Sequence, residues 1–562
     1  MKGRRLSAIV TASLLGAVFV VCVLYPLGVM AARSLGEEGR YSLDRYRLLF
    51  DMSNRGNLEA VMNSVGVSLV SVAASGVLGV FLAFVFTQLR FSFRSPLARL
   101  AVLPVALPPL VGVIAFLFVF GDTGIVPRGL QILLGTPGPV LPAGGIAGVI
   151  LVHVYSFHVY FYLFVSAALG ALDASQIEAS AGLGGGKWRT FVRVVLPELR
   201  PGILAASALT FMSSMSSFTA PLLFAGGKHF ITLDIYASKL NGDIDMAAAQ
   251  SVLLTGVSLA FYVFLTLGPA RAQGYARKGS AAAGLLTPGI AARRVMVGLA
   301  VVVLAVELLP VLVIVALSLA REGSWTTQWL PSSYTAENYV ALFTDASLFR
   351  PVINSLEMAL LALAGSVLFG VTAAFLVSRR KNRAISTWTN VALTMPYAVP
   401  GTVVAIALIL AFNRPLFAGI PVILVGTFWI LPLAYFVREY PVVIRGVGAS
   451  LEGLDGSLLE AASGLGAGPF LRFRSVALPL LLPAILSAGV LVLIGALGEF
   501  VSSILLYTYD SRPVSVEILA QLRLFNIGAA SAYSVLLMLL ILVLLRLSGG
   551  LLASDRRMSY IL

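Results

Sequence analysis

Residues able to do chemistry are scarce in this 562-residue chain, and several stand where charge is costly. Glu499 lies inside an apolar run beside Gly495 and Gly498, and a carboxylate in such a place commonly serves a polar path or a partner cation. Ser217 stands 282 residues upstream of it, within Ser213, Ser214, Ser216, Ser217 and Thr219, and Ser502 follows Glu499 by three residues. Glu499, Ser217, Ser213 and Ser502 are therefore candidates to line a substrate path; the other reading of Glu499 is an ion pair with an arginine or the cap of a broken helix. His153 and His158 are five residues apart, too far round a helix to chelate one ion, so they read as hydrogen-bonded packing residues, and Glu307 as a local structural acid. The single Cys22 excludes an intrachain disulfide and a cysteine metal site. Gly184-Gly185-Gly186-Lys187 imitates a phosphate loop, but Ala181 stands where the first glycine belongs and Trp188 follows the lysine. With three histidines in all and no convergent His, Asp or Cys set, no catalytic residue and no metal ligand is assigned, which disfavours a membrane enzyme.

The elements that must hold these residues are apolar. Hydrophobic residues make up 59% of the chain and charged ones 11%, with a mean hydropathy of +0.95. A soluble domain is about a quarter charged, and disorder needs low hydrophobicity, so the chain reads as an all-α polytopic membrane protein. Runs of roughly 20 apolar residues, enough to cross a bilayer, fall near 8–32, 63–87, 99–121, 143–170, 203–226, 249–270, 295–319, 354–378, 389–412, 417–437, 484–508 and 529–547, about twelve spans. The first is too long for a signal-peptide core and lacks a clear cleavage site, so it reads as an uncleaved helix. The net charge of +14 has a matching origin: placing both termini inside puts 26 of the 39 Lys and Arg in cytoplasmic segments. No basic tract interleaves with aromatics, so nucleic acid is not an expected partner.

The chain repeats itself. Residues 172–197, LDASQIEASAGLGGGKWRTFVRVVLP, align without a gap to 454–479, LDGSLLEAASGLGAGPFLRFRSVALP, at an offset of 282. Asn63-Ser64 match Asn354-Ser355, and Pro104 and Pro108 match Pro396 and Pro400; the offset falls because a Gly/Pro-rich loop around 122–142 shrinks in the second half. The expected organisation is a six-span half, 1–270, with a loop at 173–201; a basic linker, 271–294; and a second six-span half, 295–562, with a loop at 455–483. Two halves of even span number run parallel, related by a pseudo-two-fold axis along the membrane normal, with a substrate path expected along it.

Each repeated loop opens with Ser-x-x-Glu, Ser175 to Glu178 and Ser457 to Glu460, a capping-box pattern. A short helix, a glycine break and a second short helix bearing Trp188 and Phe191, or Phe470 and Phe473, follow; Leu196-Pro197 and Leu478-Pro479 end the motif. A helix–turn–helix with an aromatic face is a docking surface. The residues Glu178, Ala179, Ser180, Gly184, Val194, Leu196 and Pro197, and Glu460, Ala461, Ala462, Gly466, Val476, Leu478 and Pro479, resemble the signature loop of permease subunits of binding-protein-dependent ABC importers, and with Gly182, Phe191, Gly464 and Phe473 they are the expected ATPase-coupling residues. Ser180 in place of the second alanine is a mild departure.

That resemblance implies a type I importer permease fold in which each signature loop is a coupling helix seated in an ATPase subunit. It implies a bacterial inner-membrane location and, as partners, two copies of an ABC ATPase inside, a periplasmic or lipid-anchored solute-binding protein outside, and membrane lipid. ATP and Mg would bind the ATPase, with no cofactor in this chain. A single chain of two fused halves is similar to the iron(III) and thiamine permeases, so iron(III) is the first expectation, then thiamine, then polyamine or phosphonate. A twelve-span secondary transporter driven by an ion gradient is the competing class, but gives no reason for two such loops. The outside segments 233–236 and 516–519 are expected contacts for the binding protein, on location alone.

Overall fold

The structure, a computed structural model, describes residues 2–37, 40–51, 55–266, 288–325, 328–378, 382–414 and 423–552. In a bilayer every backbone N–H and C=O must be satisfied within the chain, which is why the apolar runs become helices. The first repeat gives α1 (Val10–Ser34), α2 (Arg55–Gln88), α3 (Pro109–Phe120), α4 (Ile125–Leu134), α5 (Gly145–Gly170), α6 (Ala174–Gly182) and α7 (Leu196–Met215). It continues with α8 (Thr219–Phe224), α9 (Ile231–Leu240) and α10 (Ile244–Thr266). The second gives α11 (Ile290–Ser318), α12 (Ala346–Ser378), α13 (Arg383–Thr394), α14 (Gly401–Phe412), α15 (Ile430–Glu452) and α16 (Gly456–Gly464). Then follow α17 (Leu478–Gly498), α18 (Val501–Leu506), α19 (Val514–Arg523) and α20 (Ile527–Leu552).

Among the described residues ten helices are long and apolar enough to cross a membrane, or eleven if the pair meeting at residues 398–401, bent by 98°, is one span. The run near 417–437 is the difference from twelve. Residues 417–422 lie outside the described residues, and the rest merges into α15, where Arg438, Glu439 and Arg445 interrupt the hydropathy. Several runs that read as continuous are broken. Leu107 and Val399 take extended backbone because each precedes a proline, Pro108 or Pro400. Breaks also fall between α7 and α8 and between α17 and α18. The Gly/Pro-rich stretch 122–142 is not all loop: Pro127 is tolerated in the first turn of α4, and Gly135, at φ +63, ends it. Of the expected linker, 271–287 lies outside the described residues, and Ile290 already begins α11.

The chain folds as two compact units that do not follow the sequence halves. One contains Asp44–Leu240 and Leu253–Thr335, so α11 packs with the first repeat: Ala300 and Leu304 share a buried cluster with Leu82, Val165, Val195 and Leu199. Trp329 reinforces this unit by donating its indole N–H to the Ile125 carbonyl at 3.0 Å. The other contains Met1–Leu43, Asn241–Val252 and Ala336–Leu562, so α1 packs with the second repeat: Tyr25 meets Phe412 edge-on at 6.4 Å, and Arg33 pairs with Asp245 at 3.1 Å. Its core joins α12, α15 and α17 through Val371, Val443, Val447, Leu481 and Val492.

Candidate functional site

Both loops are built the same way. The Asp173 carboxylate accepts the Ser175 backbone N–H at 3.0 Å, and the Asp455 carboxylate accepts that of Ser457 at 2.9 Å. The capping residue is therefore the aspartate and not Ser175 or Ser457, and Glu178 and Glu460 close no capping box. An aspartate two residues earlier outcompetes the serine because its charge also meets the positive end of the helix. The bond holds the Asp455 carboxyl below the usual carboxylate range. Glu178 and Glu460 are left exposed, without an ion-pair or hydrogen-bond partner among the described residues, as are the small Ala179 and Ala461.

Each short helix ends in the same turn. The Gly184 N–H donates to the Ala181 carbonyl and the Gly185 N–H to that of Ser180, at 3.0 and 2.9 Å. In the second loop Gly466 donates to Ser463 and Ala467 to Ala462, at 3.1 and 3.0 Å. This double bond requires a left-handed residue just past the helix, met by Gly184 at φ +76 and Gly466 at φ +83. Gly182 and Gly464 are helical and carry no such requirement. The turn throws Leu183 and Leu465 outward, each 89% exposed, and the same loops carry the exposed Trp188 and Phe470, 77% and 73%. Contiguous apolar side chains on an outer loop mark an interaction surface.

Behind that surface the chain widens to a π-turn, Phe191–Val195 in one copy and Phe473–Ala477 in the other, with Leu196 and Leu478 bonding back to Phe191 and Phe473. Pro197 and Pro479 explain the widening, because neither supplies the N–H that regular spacing needs. Phe191 and Phe473 are half-buried and join the exposed surface to the buried clusters, while Leu196 and Leu478 begin the following spans. The copies differ beneath the surface. Ala174 and Ile177 of α6 are buried, and the Ser180 hydroxyl bonds that of Thr190 at 2.8 Å; α16 buries no residue, and Ala462 and Arg472 replace the hydroxyl pair.

The intramembrane residues fall into two polar knots. In one, His153 Nδ1 meets the hydroxyls of Ser71 and Ser214 at 3.1 and 3.0 Å, and its Nε2 meets Ser217 at 2.9 Å, at the α7–α8 break. Ser213 beside it is half-buried. In the other, Glu499 pairs with Arg438 Nε at 2.9 Å and accepts the Ser502 backbone N–H at 2.8 Å, which caps α18. Ser502 is buried and donates its hydroxyl to the Gly401 carbonyl at 3.2 Å. Arg438, just past the apolar run near 417–437, belongs to α15. The signal that could have found it was an arginine within a dozen residues of an apolar run that also needed a counter-ion for Glu499. His158 lies 3.1 Å from Glu307, joining α5 to α11.

The repeated Asn-Ser pairs have a job that spacing alone did not reveal. Ser64 accepts the Ile231 N–H at 3.0 Å and Asn63 donates to the His229 carbonyl at 2.9 Å; Ser355 accepts the Val514 N–H at 2.8 Å and Asn354 donates to the Asp510 carbonyl at 2.8 Å. Each pair clamps the start of α9 or α19. Of the expected binding-protein contacts, Val516, Glu517, Ile518 and Leu519 are buried, with Glu517 paired to Arg512 at 2.9 Å, whereas in 233–236 only Ile235 is buried and Leu233, Asp234 and Tyr236 are half-buried.

Known proteins fit this architecture. The family described as "Binding-protein-dependent transport system inner membrane component" matches residues 75–270 and again 366–558. A probable ABC transporter permease protein of Sinorhizobium fredii is 30% identical over 470 residues, covering 82% of this chain and 81% of that protein. The ferric transport system permease protein of Actinobacillus pleuropneumoniae is 27% identical over 504 residues, covering 87% and 70%. A molybdenum transport system permease protein of Mycobacterium tuberculosis is 33% identical over 213 residues, covering 37% of this chain and 78% of that one. With two copies of the family's domain, two matching loops and membrane-spanning helices throughout, the chain belongs to the binding-protein-dependent transport system inner membrane components, as the fused, two-domain permease of an ABC importer and not an enzyme.

Proposed function

We propose that this permease imports iron(III), receiving it from a periplasmic or lipid-anchored solute-binding protein. Two copies of an ATPase subunit sit on loops 173–201 and 455–483, with both chain termini on their side of the membrane, the cytoplasm. ATP and Mg bind those subunits, and closure of the ATPases drives alternating access through the loops. The observation that carries this reading is the pair of exposed loops with one backbone geometry, each presenting a free glutamate and a projecting Leu–aromatic pair. Two like surfaces suit two copies of one partner. Iron(III) is supported by the ferric transport permeases of A. pleuropneumoniae and Haemophilus influenzae, 27% and 26% identical across most of the chain. Ser213 and Ser217, half-buried at a helix break, are the proposed path residues, joined by Ser502 and by Glu499, which a cargo would reach on opening of its pair with Arg438.

The test uses vesicles carrying the permease, its ATPase and the neighbouring binding protein. ATP-dependent uptake of labelled iron(III), without uptake of thiamine or 2-aminoethylphosphonate, is expected. Uptake that persists without ATP and collapses with an ionophore overturns the ATP-driven reading, whereas ATP-dependent uptake of another solute overturns only the iron assignment. Gly184→Trp with Gly466→Trp is expected to leave the permease folded and abolish ATPase co-purification.

A further inference from the structure

An apolar groove of about 430 Å³ opens beside the first loop, within the unit built on the first repeat. Its walls are Phe81 and Phe84 of α2, Val165 and Leu169 of α5, and Met296 of α11; Trp188 and Phe191 close the loop end. None of the lining residues is charged. Three of its walls are membrane-crossing helices and the fourth is the loop, so the groove runs from hydrocarbon depth to the polar boundary, where tryptophan is favoured.

In the second repeat the corresponding rings are arranged differently. Phe375 and Phe473 occupy the places of Phe84 and Phe191, at offsets of 291 and 282, and meet edge-on at 5.2 Å. In the first repeat Phe191 stacks instead on Trp188 at 6.1 Å, and Phe84 is left facing the cavity.

Charge marks its mouth. Arg293 precedes Met296 by three residues and lies half-buried on the same face of α11. Its guanidinium has no hydrogen-bond or ion-pair partner among the described residues, and the same holds for Arg294. Arg189 and Arg200 adjoin the lining residues Trp188 and Leu199, against one adjoining acid, Glu198. Apolar walls inside the membrane with unpaired cations at the boundary match one chemistry: an acyl chain joined to an anionic headgroup.

We propose that this groove is a binding site for an anionic phospholipid of the leaflet on the loop side, its acyl chain between α2, α5 and α11 and its phosphate against Arg293. A lipid there packs directly against Trp188 and Phe191, and so braces the first loop from behind. The inference does not depend on what the permease carries.

The experiment measures lipid retained by the full-length permease after extensive detergent washing from membranes of phosphatidylglycerol and phosphatidylcholine, by native mass spectrometry. Wild type is expected to retain phosphatidylglycerol in preference to phosphatidylcholine. Arg293→Glu with Arg294→Glu is expected to lower that retention at least tenfold, and Val80→Trp, at a further lining residue on α2, to fill the groove and remove both lipids. Equal retention of the two lipids, or unchanged retention in the arginine variant, overturns the proposal. So does a Val80→Trp protein that keeps its lipid but loses its ATPase, which would make the groove part of a protein interface. Should Val80→Trp aggregate, wild type with phosphatidylglycerol bearing a photoreactive tail decides: crosslinks at Phe81, Phe84 or Met296 support the site, and none there overturns it.

Discussion

Loop 173–201 and loop 455–483 follow one backbone path, yet only the first sinks side chains beneath itself. In α6, Ile177 and Ala174 are buried in a cluster that also takes in Ala300 and Leu304 of α11; in α16 the corresponding Leu459 is only half-buried, at the edge of the second unit's cluster. The turn and the outward Leu–aromatic pair are set by glycine and proline positions and so survive in both copies. Anchoring is set by what packs underneath, which differs. Two like outer surfaces thus rest on supports that differ in burial.

This contrast can be broken in order of expected effect. Ile177→Ala should cost roughly 2–3 kcal/mol, at the low end of the range for emptying a buried aliphatic site, and the half-buried Leu459→Ala about 1 kcal/mol. Equal losses in apparent melting temperature of the purified protein would erase the asymmetry. Gly184→Ala and Gly466→Ala test the shared half of the comparison: each should destabilise its turn by about 1–2 kcal/mol, because a β-carbon is strained in left-handed backbone. Faster amide exchange just past both helices, by similar factors, is the readout. Ser180→Ala should lose about 1 kcal/mol with its bond to Thr190, while Ala462→Ser, facing Arg472, should gain nothing.

The smallest effect is a pH dependence. The Asp455 carboxyl is lowered by the Ser457 N–H, so its contribution to α16 is fully present above the unfolded-state pKa and is lost as pH falls through the lowered folded value. Asp455→Asn keeps the cap and removes that dependence. Amide exchange at Ser457 that accelerates on acidification in wild type but not in the variant is the expected result; parallel profiles would show that the carboxylate does not hold the helix.

How much of this was legible depends on range. The repeat, the glycine breaks, the Leu-Pro ends and most apolar spans lie in local spacing, and local spacing decides turns and helices. Asp173 and Asp455 were also visible, two residues before the serines, but the Ser-x-x-Glu pattern drew the cap to the wrong residue. The broken helices were less visible, because hydropathy stays high across Pro108, Pro400 and Glu499 while the backbone turns. What could not be read was partnership at long range. Nothing near Ile177 announces Ala300, nothing near Glu499 announces Arg438, and the Asn-Ser clamps act on residues more than 150 positions away.

The assignment of α1 to the unit of the second repeat sets a timetable for biogenesis. A ribosome delivers the chain in order, and domains ordinarily close as they emerge. Here Tyr25 is made long before Phe412, so α1 waits beside lipid until α14 has been made. The unit begun at Asp44 is likewise incomplete until α11 arrives with Ala300 and Glu307. Chains truncated before Ile290 should therefore be substrates for membrane quality control even though a whole repeat has been synthesised. In this permease, fusing the halves makes the second a condition for the first to finish folding.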